Sequence, residues 1–366
     1  TPRSSSAASD VYKRQTLKNP APYFIELLAH YTTRPVHQPT IEKHGEIDSL
    51  GNQWTRPDNF VGNGPFTLEE WKLNQVIKVK KNPLYWDADR VKLNEIHFLP
   101  IDNVSREDFM FRSGQIHVTS SIPTEKIEVY KEEYPNNINI SPYYGTYYYR
   151  INLNKNPLDN KLIRQALSLS IDREKITEKV AKGGQIPAFS FTPPDPNGYY
   201  PPTRLEFDPQ KAKQLLTQAG YTDENLPTFE LLYNTSEGHQ KIAEAMQQMW
   251  KETLGVNIVL TNTDWKVYLS RQNTSDFEIA RAGWIGDYQD PKSFLDMMVT
   301  GRGNNLTGWS NDLYDSLLVK ASQSYSQDER YNYLYEAEKI LMDELPIIPI
   351  YTYTRIYMKH ESVKGW

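Results

Sequence analysis

FELLYNTSEGHQKIAEAMQQMWKETLGVNIVL, residues 229–260, contains a strand, a helix and a second strand in succession. The run from Phe229 to Tyr233 has the apolar content of a strand. From His239 to Leu254, apolar residues recur three and four positions apart, which predicts an amphipathic helix, and Gly255 ends it. The run from Val256 to Leu260 is again strand-like. This order predicts a β-α-β unit and therefore an α/β lobe.

Strands and helices also mix on both sides of this unit. Alternating stretches around 76–79 and 96–100 predict two neighbouring strands. Residues 142–154 (PYYGTYYYRINLN) alternate aromatic and polar side chains, so one row of tyrosines is expected on each face of a strand. One row could line a cleft and the other could lie in a core. Residues 347–354 are strand-like and are predicted to return to the earlier sheet.

Length and composition favour a globular protein of several lobes. With 366 residues and 38% apolar content, the chain can bury more than one core. The net charge of −5 is small and its acids and bases are interspersed, so neither nucleic acid nor an anionic membrane surface is indicated as a partner. Cysteine is absent, which excludes disulfides, thiolate metal ligands and a cysteine nucleophile. No apolar run has the length of a transmembrane helix.

The segment 281–295 (RAGWIGDYQDPKSFL) combines a cation, an extended backbone, an aromatic side chain and a carboxylate. Asp290 and Pro291 read as the cap and first residue of a helix. Asp287 is then left without an obvious structural role, although a loop aspartate can also hydrogen-bond its own backbone. The combination suits a ligand with an extended backbone, such as a peptide.

Three further side chains are candidates for binding an anion. His239 is expected in the first turn of its helix, after Ser236 as cap, where the helix amides and dipole favour negative charge. It could equally be an exposed first-turn histidine. Arg281 directly follows a strand-like run and could bind a carboxylate through two nitrogens, or form a solvated salt bridge. Arg271 is a weaker candidate of the same kind.

Motifs for catalysis and for metal binding are absent from the sequence. His30, His37 and His44 recur every seven residues, but Pro35 and Pro39 would break a helix that aligned them, so no metal site is predicted. The sequence has no Gly-x-Ser-x-Gly and no His-Glu-x-x-His. We therefore predict a protein that is not an enzyme and that needs no cofactor.

Seven motifs, in order, carry a resemblance to a known family. They are VGNGPFTLEEW (61–71), NPLYWD (82–87), TYYYRIN (146–152), NPLDNKLIRQALSLSIDREKI (156–176), DPQKAKQLLTQAGY (208–221), LLYNTSEGHQKIAEAMQQMW (231–250) and ARAGWIGDYQDPKSFL (280–295). Together they resemble the bacterial extracellular solute-binding proteins, family 5, of peptide ABC importers. The similarity runs from about Leu17 to the end of the chain.

The resemblance implies an α/β, two-lobed periplasmic-binding-protein fold (type II, cluster C) with a hinge and a small inserted third domain, here incomplete. The expected divisions are a foreign or unstructured leader (1–15), the tail of the inserted domain with a connector (16–59), lobe I (60–172), lobe II (173–345) and a return strand to lobe I (346–366). The first quarter to third of a family member, including its signal peptide, is expected to be missing. Exposed sheet edges would then lower stability and solubility.

By motif position, four residues match groups that hold the peptide at its amino end and along its backbone. Asp287 matches the aspartate that pairs with the α-ammonium of the ligand. Gly283 and Ile285 match residues whose backbone extends a strand along the peptide, which makes binding independent of side-chain identity. Trp284 matches an aromatic residue of the side-chain pockets.

The resemblance assigns the carboxyl end of the peptide to cationic residues. Arg281, His239 and Arg271 match the residues that meet the α-carboxylate of ligands of different length. Tyr147 and Tyr149, from the alternating tyrosine strand, are further candidates for peptide contact.

The implied function is that of a substrate-binding receptor of an ABC importer, which captures short oligopeptides in a closing cleft between the lobes. A receptor for dipeptides, murein peptides or another solute is the alternative within the family, and a hydrolase is the alternative of a different class. The implied partners are short peptides and a membrane permease/ATPase complex, and no nucleic acid. We expect a monomer in the periplasm, or one anchored by lipid at the cell surface of a Gram-positive organism.

Overall fold

A computed structural model describes residues 14–49, 51–195, 198–201 and 206–366. The chain forms two compact units. One is Leu28–Ser121, and the other contains Ile122–Trp366 together with the preceding residues up to Leu27. The predicted leader lies outside the described residues as far as residue 13.

The strands are β1 (Phe66–Lys72), β2 (Val76–Lys81), β3 (Glu95–Phe98), β4 (Ile138–Ile151), β5 (Ile186–Pro187), β6 (Thr228–Asn234), β7 (Asn257–Thr263), β8 (Ile279–Ile285) and β9 (Ile347–Met358). The α-helices are α1 (Phe24–Leu27), α2 (Gln38–Lys43), α3 (Val104–Arg112), α4 (Ile127–Glu133), α5 (Lys161–Leu169), α6 (Arg173–Lys175), α7 (Pro209–Gln218), α8 (Glu237–Leu254), α9 (Trp265–Asn273), α10 (Lys292–Leu295), α11 (Asp312–Gln323) and α12 (Gln327–Glu344). A π-helical turn, Ile176–Ala181, continues α6. None of the described helices is both long enough and apolar enough to cross a bilayer.

The smaller unit contains a three-stranded antiparallel sheet in the order β1-β2-β3. The two strands predicted around 76–79 and 96–100 are β2 and β3, and they pair directly, for example Val79 with Ile96. The hydrophobic alternation therefore predicted these two strands correctly, and β1 is the third strand of the sheet.

The larger unit is built on a six-stranded mixed sheet in the order β5-β9-β4-β8-β6-β7. β6 and β7 are parallel and are joined by α8, which confirms the predicted β-α-β unit. Gly255 ends α8 in the left-handed conformation with φ 74°, where a side chain would also meet Leu226. β9 pairs antiparallel with β4, as predicted for the strand at 347–354.

The two faces of the long strand β4 contribute to two different cores. Tyr147 and Tyr149 lie in a core that α8 covers with Trp250, whereas Tyr148 lies in a second core with Phe294. Successive side chains of a strand point to opposite faces, so the prediction of one tyrosine row on each face is confirmed. Tyr147, Tyr148 and Tyr149 are 0% exposed, whereas Tyr143, nearer the start of the strand, is exposed.

The observed units differ from the predicted lobes. β4 lies in predicted lobe I, whereas β6, β7 and β8 lie in predicted lobe II, yet all four belong to one sheet. The observed boundary falls between residues 121 and 122 rather than between 172 and 173. The reason is the pairing of β4, which forms ladders with both β8 and β9 and so cannot be separated from the later strands.

Candidate ligand-binding site

One side of strand β8 is only partly paired. β8 pairs with β4 along its whole length, from Ile279 to Ile285. On its other side it pairs with β6 only at Ile279 and Ala280. From Arg281 onward, this side of β8 has no strand partner in the described part of the chain. An edge of this kind offers backbone N–H and C=O groups to an added strand.

The hydrogen-bond pattern shows which residues present these groups. The N–H of Gly286 donates to the carbonyl of Tyr144 on β4 at 2.8 Å. In an antiparallel pair, hydrogen-bonded and non-hydrogen-bonded positions alternate, so Gly283 and Ile285 direct their N–H and C=O groups away from β4. Both residues are half-buried. The two residues assigned to backbone pairing are thus the ones that face the unpaired side.

The Arg281 side chain is a half-buried cation without a carboxylate. Its guanidinium carbon lies 4.7 Å from the centre of the Tyr147 ring, and Nη2 donates to the Tyr353 hydroxyl at 2.7 Å. Nε is buried and makes no hydrogen bond within the described residues. Its partners there include no Asp or Glu side chain. Because a shielded charge is costly without a counter-charge, this guanidinium is suited to an anionic ligand.

His239 lies beside the same ring. It is in the first turn of α8, as predicted, although the Ser236 side chain makes no capping bond. Its Nδ1 is 3.5 Å from the Tyr147 hydroxyl, a long contact. Burial and the nearby charge of Arg281 lower the pKa of His239 to about 2. His239 is therefore neutral near pH 7 and offers one N–H donor, and the structure brings it together with Arg281.

Asp287 follows β8 and is the exposed residue of a loop that is otherwise partly or fully buried. Its N–H donates to the Ser293 hydroxyl at 2.9 Å, and the Trp284 indole N–H donates to the Ser293 carbonyl at 2.8 Å. Ser293 thus binds both the backbone of Asp287 and the side chain of Trp284, the aromatic residue predicted for a pocket. The Asp287 carboxylate is exposed, so an ammonium group can approach it.

Asp290 has the structural role that the sequence indicated. Its carboxylate accepts the N–H of Lys292, the first residue of α10, at 2.9 Å. It also forms a buried ion pair of 2.6 Å with Arg330. The two acids of this loop are therefore different, because Asp290 fixes the fold and Asp287 is exposed.

Arg271 is not grouped with Arg281 and His239. Its guanidinium binds both carboxylate oxygens of Glu230, at 3.1 and 2.8 Å, and the carboxylate of Asp276 at 2.9 Å. Its charge is already balanced by two acids. Its assignment to a ligand carboxylate remains a prediction that these contacts do not favour.

That Tyr147 and Tyr149 contact the ligand remains a prediction, which their burial does not favour. Both are 0% exposed, because their strand is covered by α8 on this face. The Tyr147 ring contacts Arg281 and His239 and so helps to position both side chains. Tyr149 packs against Tyr147 with ring centres 5.9 Å apart.

Two aromatic residues of β9 belong to the site and were not predicted. Tyr351 stacks on Tyr147 with ring centres 4.7 Å apart, and Tyr353 binds Arg281. A Cβ on Gly283 would overlap the Tyr353 hydroxyl, so a larger residue there would require Tyr353 to move. Their alternation at 351 and 353 is the sequence pattern that could have predicted them, because it repeats the alternation of tyrosines in β4.

Comparison with known proteins identifies the family. The family model of the bacterial extracellular solute-binding proteins, family 5 Middle, matches residues 4–305. Because the match covers more than half of the chain, the protein belongs to this family. The match begins inside the segment predicted as leader, 1–15.

Individual relatives agree with this assignment. The periplasmic oligopeptide-binding protein OppA of Salmonella typhimurium is 37% identical over 358 residues, which are 96% of this chain and 64% of that protein. The structure of the Escherichia coli murein tripeptide binding protein MppA matches with a TM-score of 0.88 and 37% identity, over 96% of this chain and 69% of that chain. The crystal structure of Haemophilus influenzae OppA in complex with RPPGFSPFR matches with a TM-score of 0.87 and 33% identity, over 95% of this chain and 69% of that chain.

These matches confirm the predicted solute-binding fold. The relatives are named as binding proteins rather than enzymes. The chain spans about 64% of the length of the Salmonella protein.

Proposed function

We propose that this protein is a substrate-binding receptor of an ABC importer and that it captures short oligopeptides through their backbone and their charged ends. The names of the relatives support this class. The observation that carries the proposal is the Arg281 guanidinium, which has no carboxylate partner among the described residues and stands where β8 leaves β6. Asp287 lies six residues further along the same strand and loop.

The unpaired side of β8 suits an extended peptide. Gly283 and Ile285 offer main-chain donors and acceptors, which would bind a peptide as an added strand whatever its side chains. Four residue steps separate Arg281 from Ile285, about 13 Å along a strand. This is the length of a peptide of about four residues. Such a peptide, antiparallel to β8, would place its carboxylate at Arg281 and its ammonium near Ile285, and the Asp287 side chain, two residues further on, would have to reach back to it.

The terminal charges would set register and length. A carboxylate that meets Arg281 forms a charge-assisted hydrogen bond, which contributes about 1.5–3 kcal/mol. His239 would add a neutral N–H donor to the same carboxylate. Trp284 would contact a ligand side chain on the other face of the strand. Tyr147 would hold the arginine in place without touching the ligand.

Calorimetry with end-blocked peptides tests this arrangement. We expect tetra-alanine to bind. Its N-acetylated form and its C-amidated form should each bind with an affinity that is lower by a factor of about ten or more. In Asp287→Asn, acetylation of the peptide should no longer lower its affinity, whereas amidation should still lower it. In Arg281→Gln, amidation should no longer lower the affinity, whereas acetylation should still lower it. Equal affinities for all three peptides would overturn the proposal.

The alternatives differ in what they bind or do. Within the family, the MppA relative is named for a murein tripeptide, so a length series from dipeptide to pentapeptide distinguishes a dipeptide or murein-peptide receptor from an oligopeptide receptor. Failure of every peptide would favour a different solute. A hydrolase would release products from an incubated peptide, and we expect none.

We further propose a periplasmic location, or a lipid anchor at the cell surface in a Gram-positive organism. The relatives named periplasmic support the first alternative. The proposed partners are a membrane permease and its ATPase, which would take the ligand from a monomeric receptor. Crosslinking to such a complex in the presence and absence of peptide would test this.

A further inference from the structure

A second arginine lies close to the proposed site, on the opposite face of the sheet. Arg150 is on β4, directly opposite Ala280 of β8. Because side chains alternate along a strand, Arg150 shares a face with Tyr148, whereas Arg281 shares the other face with Tyr147. The contacts agree, since each guanidinium lies near the tyrosine of its own face.

Arg150 is half-buried and its described partners are all neutral. Nη1 donates to the side-chain carbonyl of Gln272, and Nη2 donates to the Tyr148 hydroxyl at 3.4 Å. Among other shielded arginines of this unit, Arg271 and Arg330 each bind a carboxylate. Arg173 binds none in the described residues, but three backbone carbonyls and a hydroxyl accept its N–H groups. No ion pair of Arg150 occurs within the described ranges. A guanidinium has five N–H groups, so three remain for another acceptor.

The side chain of Tyr268, on α9, packs with Ala280 on the face of β8 that Arg150 shares. Its hydroxyl donates to the carbonyl of Arg281, the first residue beyond the pairing with β6. Burial raises the pKa of Tyr268, and the charges of Arg281 and Arg150 both act in the opposite direction. The neighbouring residues of β8 on this face, Ala280 and Ala282, are small.

We propose that Arg150 is a specificity-determining residue that selects peptides with an acidic side chain near their carboxyl end. This inference rests on the proposed function. A peptide bound along β8 would point alternate side chains to the two faces of the sheet. Its α-carboxylate would meet Arg281 on one face, and a nearby side chain on the other face would reach Arg150.

The chemistry favours a carboxylate over its neutral amide. Gln272 and Tyr148 hold the guanidinium plane, so it is oriented before the ligand arrives. A glutamate side chain would supply the charge that Arg150 lacks, whereas glutamine would supply a neutral oxygen and an N–H₂ group that faces a cation. A lysine side chain in the same place would be repelled.

The experiment measures a ratio of affinities by calorimetry. Tetra-alanine is compared with tetrapeptides that carry glutamate or glutamine at each position in turn. We expect glutamate to bind at least about ten times more tightly than glutamine at one of the last two positions. In Arg150→Gln this ratio should fall to about one, and Arg150→Lys, which keeps the charge, should retain a ratio above one.

Arg355→Gln is the matched control, because it removes the same charge from an exposed position on β9 and should keep the full ratio. If tetra-alanine binds but the ratio is about one at every position, the inference about Arg150 is overturned and the proposed function stands. If the ratio persists in Arg150→Gln, another group recognises the acid and the inference is also overturned. If no tetrapeptide binds, the proposed function fails and the inference fails with it.

Discussion

Replacement of Arg281 by glutamine should weaken peptide binding without weakening the fold. The guanidinium has two identified interactions, the ring of Tyr147 and the hydroxyl of Tyr353. Neither partner is charged, and Nε is buried without a hydrogen bond in the described residues. We infer that its charge serves the ligand rather than the folded state.

The expected magnitudes follow from these contacts. Loss of the bond to a ligand carboxylate should cost about 1.5–3 kcal/mol, which corresponds to a loss of about tenfold to a hundredfold in affinity. Without ligand, the substitution removes a cation–π contact of about 0.5–2 kcal/mol and a hydrogen bond of about 1 kcal/mol. It also removes a shielded charge that has no counter-charge, which acts in the other direction. The free energy of unfolding should therefore fall by less than the about 1.5–3 kcal/mol that these two contacts alone would contribute.

Tetra-alanine affinity by calorimetry and urea unfolding of the ligand-free protein measure the two effects. Arg271→Gln is the control with the opposite expectation, because it breaks the pair with Glu230 and Asp276. It should lower the free energy of unfolding by about 1–2 kcal/mol and leave the affinity nearly unchanged. An Arg281→Gln protein that keeps its affinity, or that loses more than about 3 kcal/mol of stability, would refute the reasoning.

Three further substitutions test other parts of the site and its surroundings. Gly283→Ala should lower peptide affinity by about tenfold or more, because its Cβ would displace the Tyr353 hydroxyl, whereas Gly303→Ala, which meets no atom within 4 Å, should not. The pKa of His239 falls from 6.5 to about 2 on folding, so its stabilising contribution is complete above pH 6.5 and is lost as the pH falls towards 2. His239→Gln should therefore lose less stability than the parent between pH 7 and pH 5 in urea unfolding. Glu338 is a buried residue of α12 whose carboxylate accepts the Thr192 N–H and the Tyr199 hydroxyl. Burial raises the pKa of Glu338 from 4.5 to about 7, so its contribution is complete below pH 4.5 and is lost as the pH rises through 7. Glu338→Gln should lose less stability than the parent between pH 5 and pH 8. If the free energy of unfolding of His239→Gln or of Glu338→Gln depends on pH as it does in the parent, the pKa shift described for that residue is contradicted.

Local sequence patterns predicted the strands, helices and helix caps that depend on residues close together in the sequence. The β6-α8-β7 unit followed from hydrophobic periodicity and from the glycine at residue 255, which permits a left-handed conformation. Asp290 followed from the preference for a carboxylate ahead of the first turn of a helix. Asp287 was distinguished from it by elimination and is exposed in the structure, and its role in binding a ligand stays a prediction.

The division into units could not be predicted in the same way. It depends on which strands pair, and β4 pairs with β9 although some 200 residues lie between them in the sequence. Both strands are apolar and alternating, which shows that they belong to a sheet but not to which one. The predicted boundary at 172 and 173 therefore divided one sheet between two lobes.

The difference between the two candidate arginines also depends on distant residues. Glu230, which balances Arg271, is 41 residues away, and Tyr353, which binds Arg281, is 72 residues away. Ion pairs across such separations leave no periodic pattern in the sequence. The resemblance placed both arginines at the ligand, and only the contacts separate the paired charge from the unpaired one.

The most direct test of the central claim is native mass spectrometry of the purified protein before and after mild denaturation. We expect additional mass corresponding to peptides of several compositions, released on unfolding and absent from Asp287→Ala. Short peptides added to the refolded protein should restore the additional mass. A single discrete non-peptide mass, or a protein that takes up no peptide after refolding, would contradict the proposal that this family member is a peptide receptor.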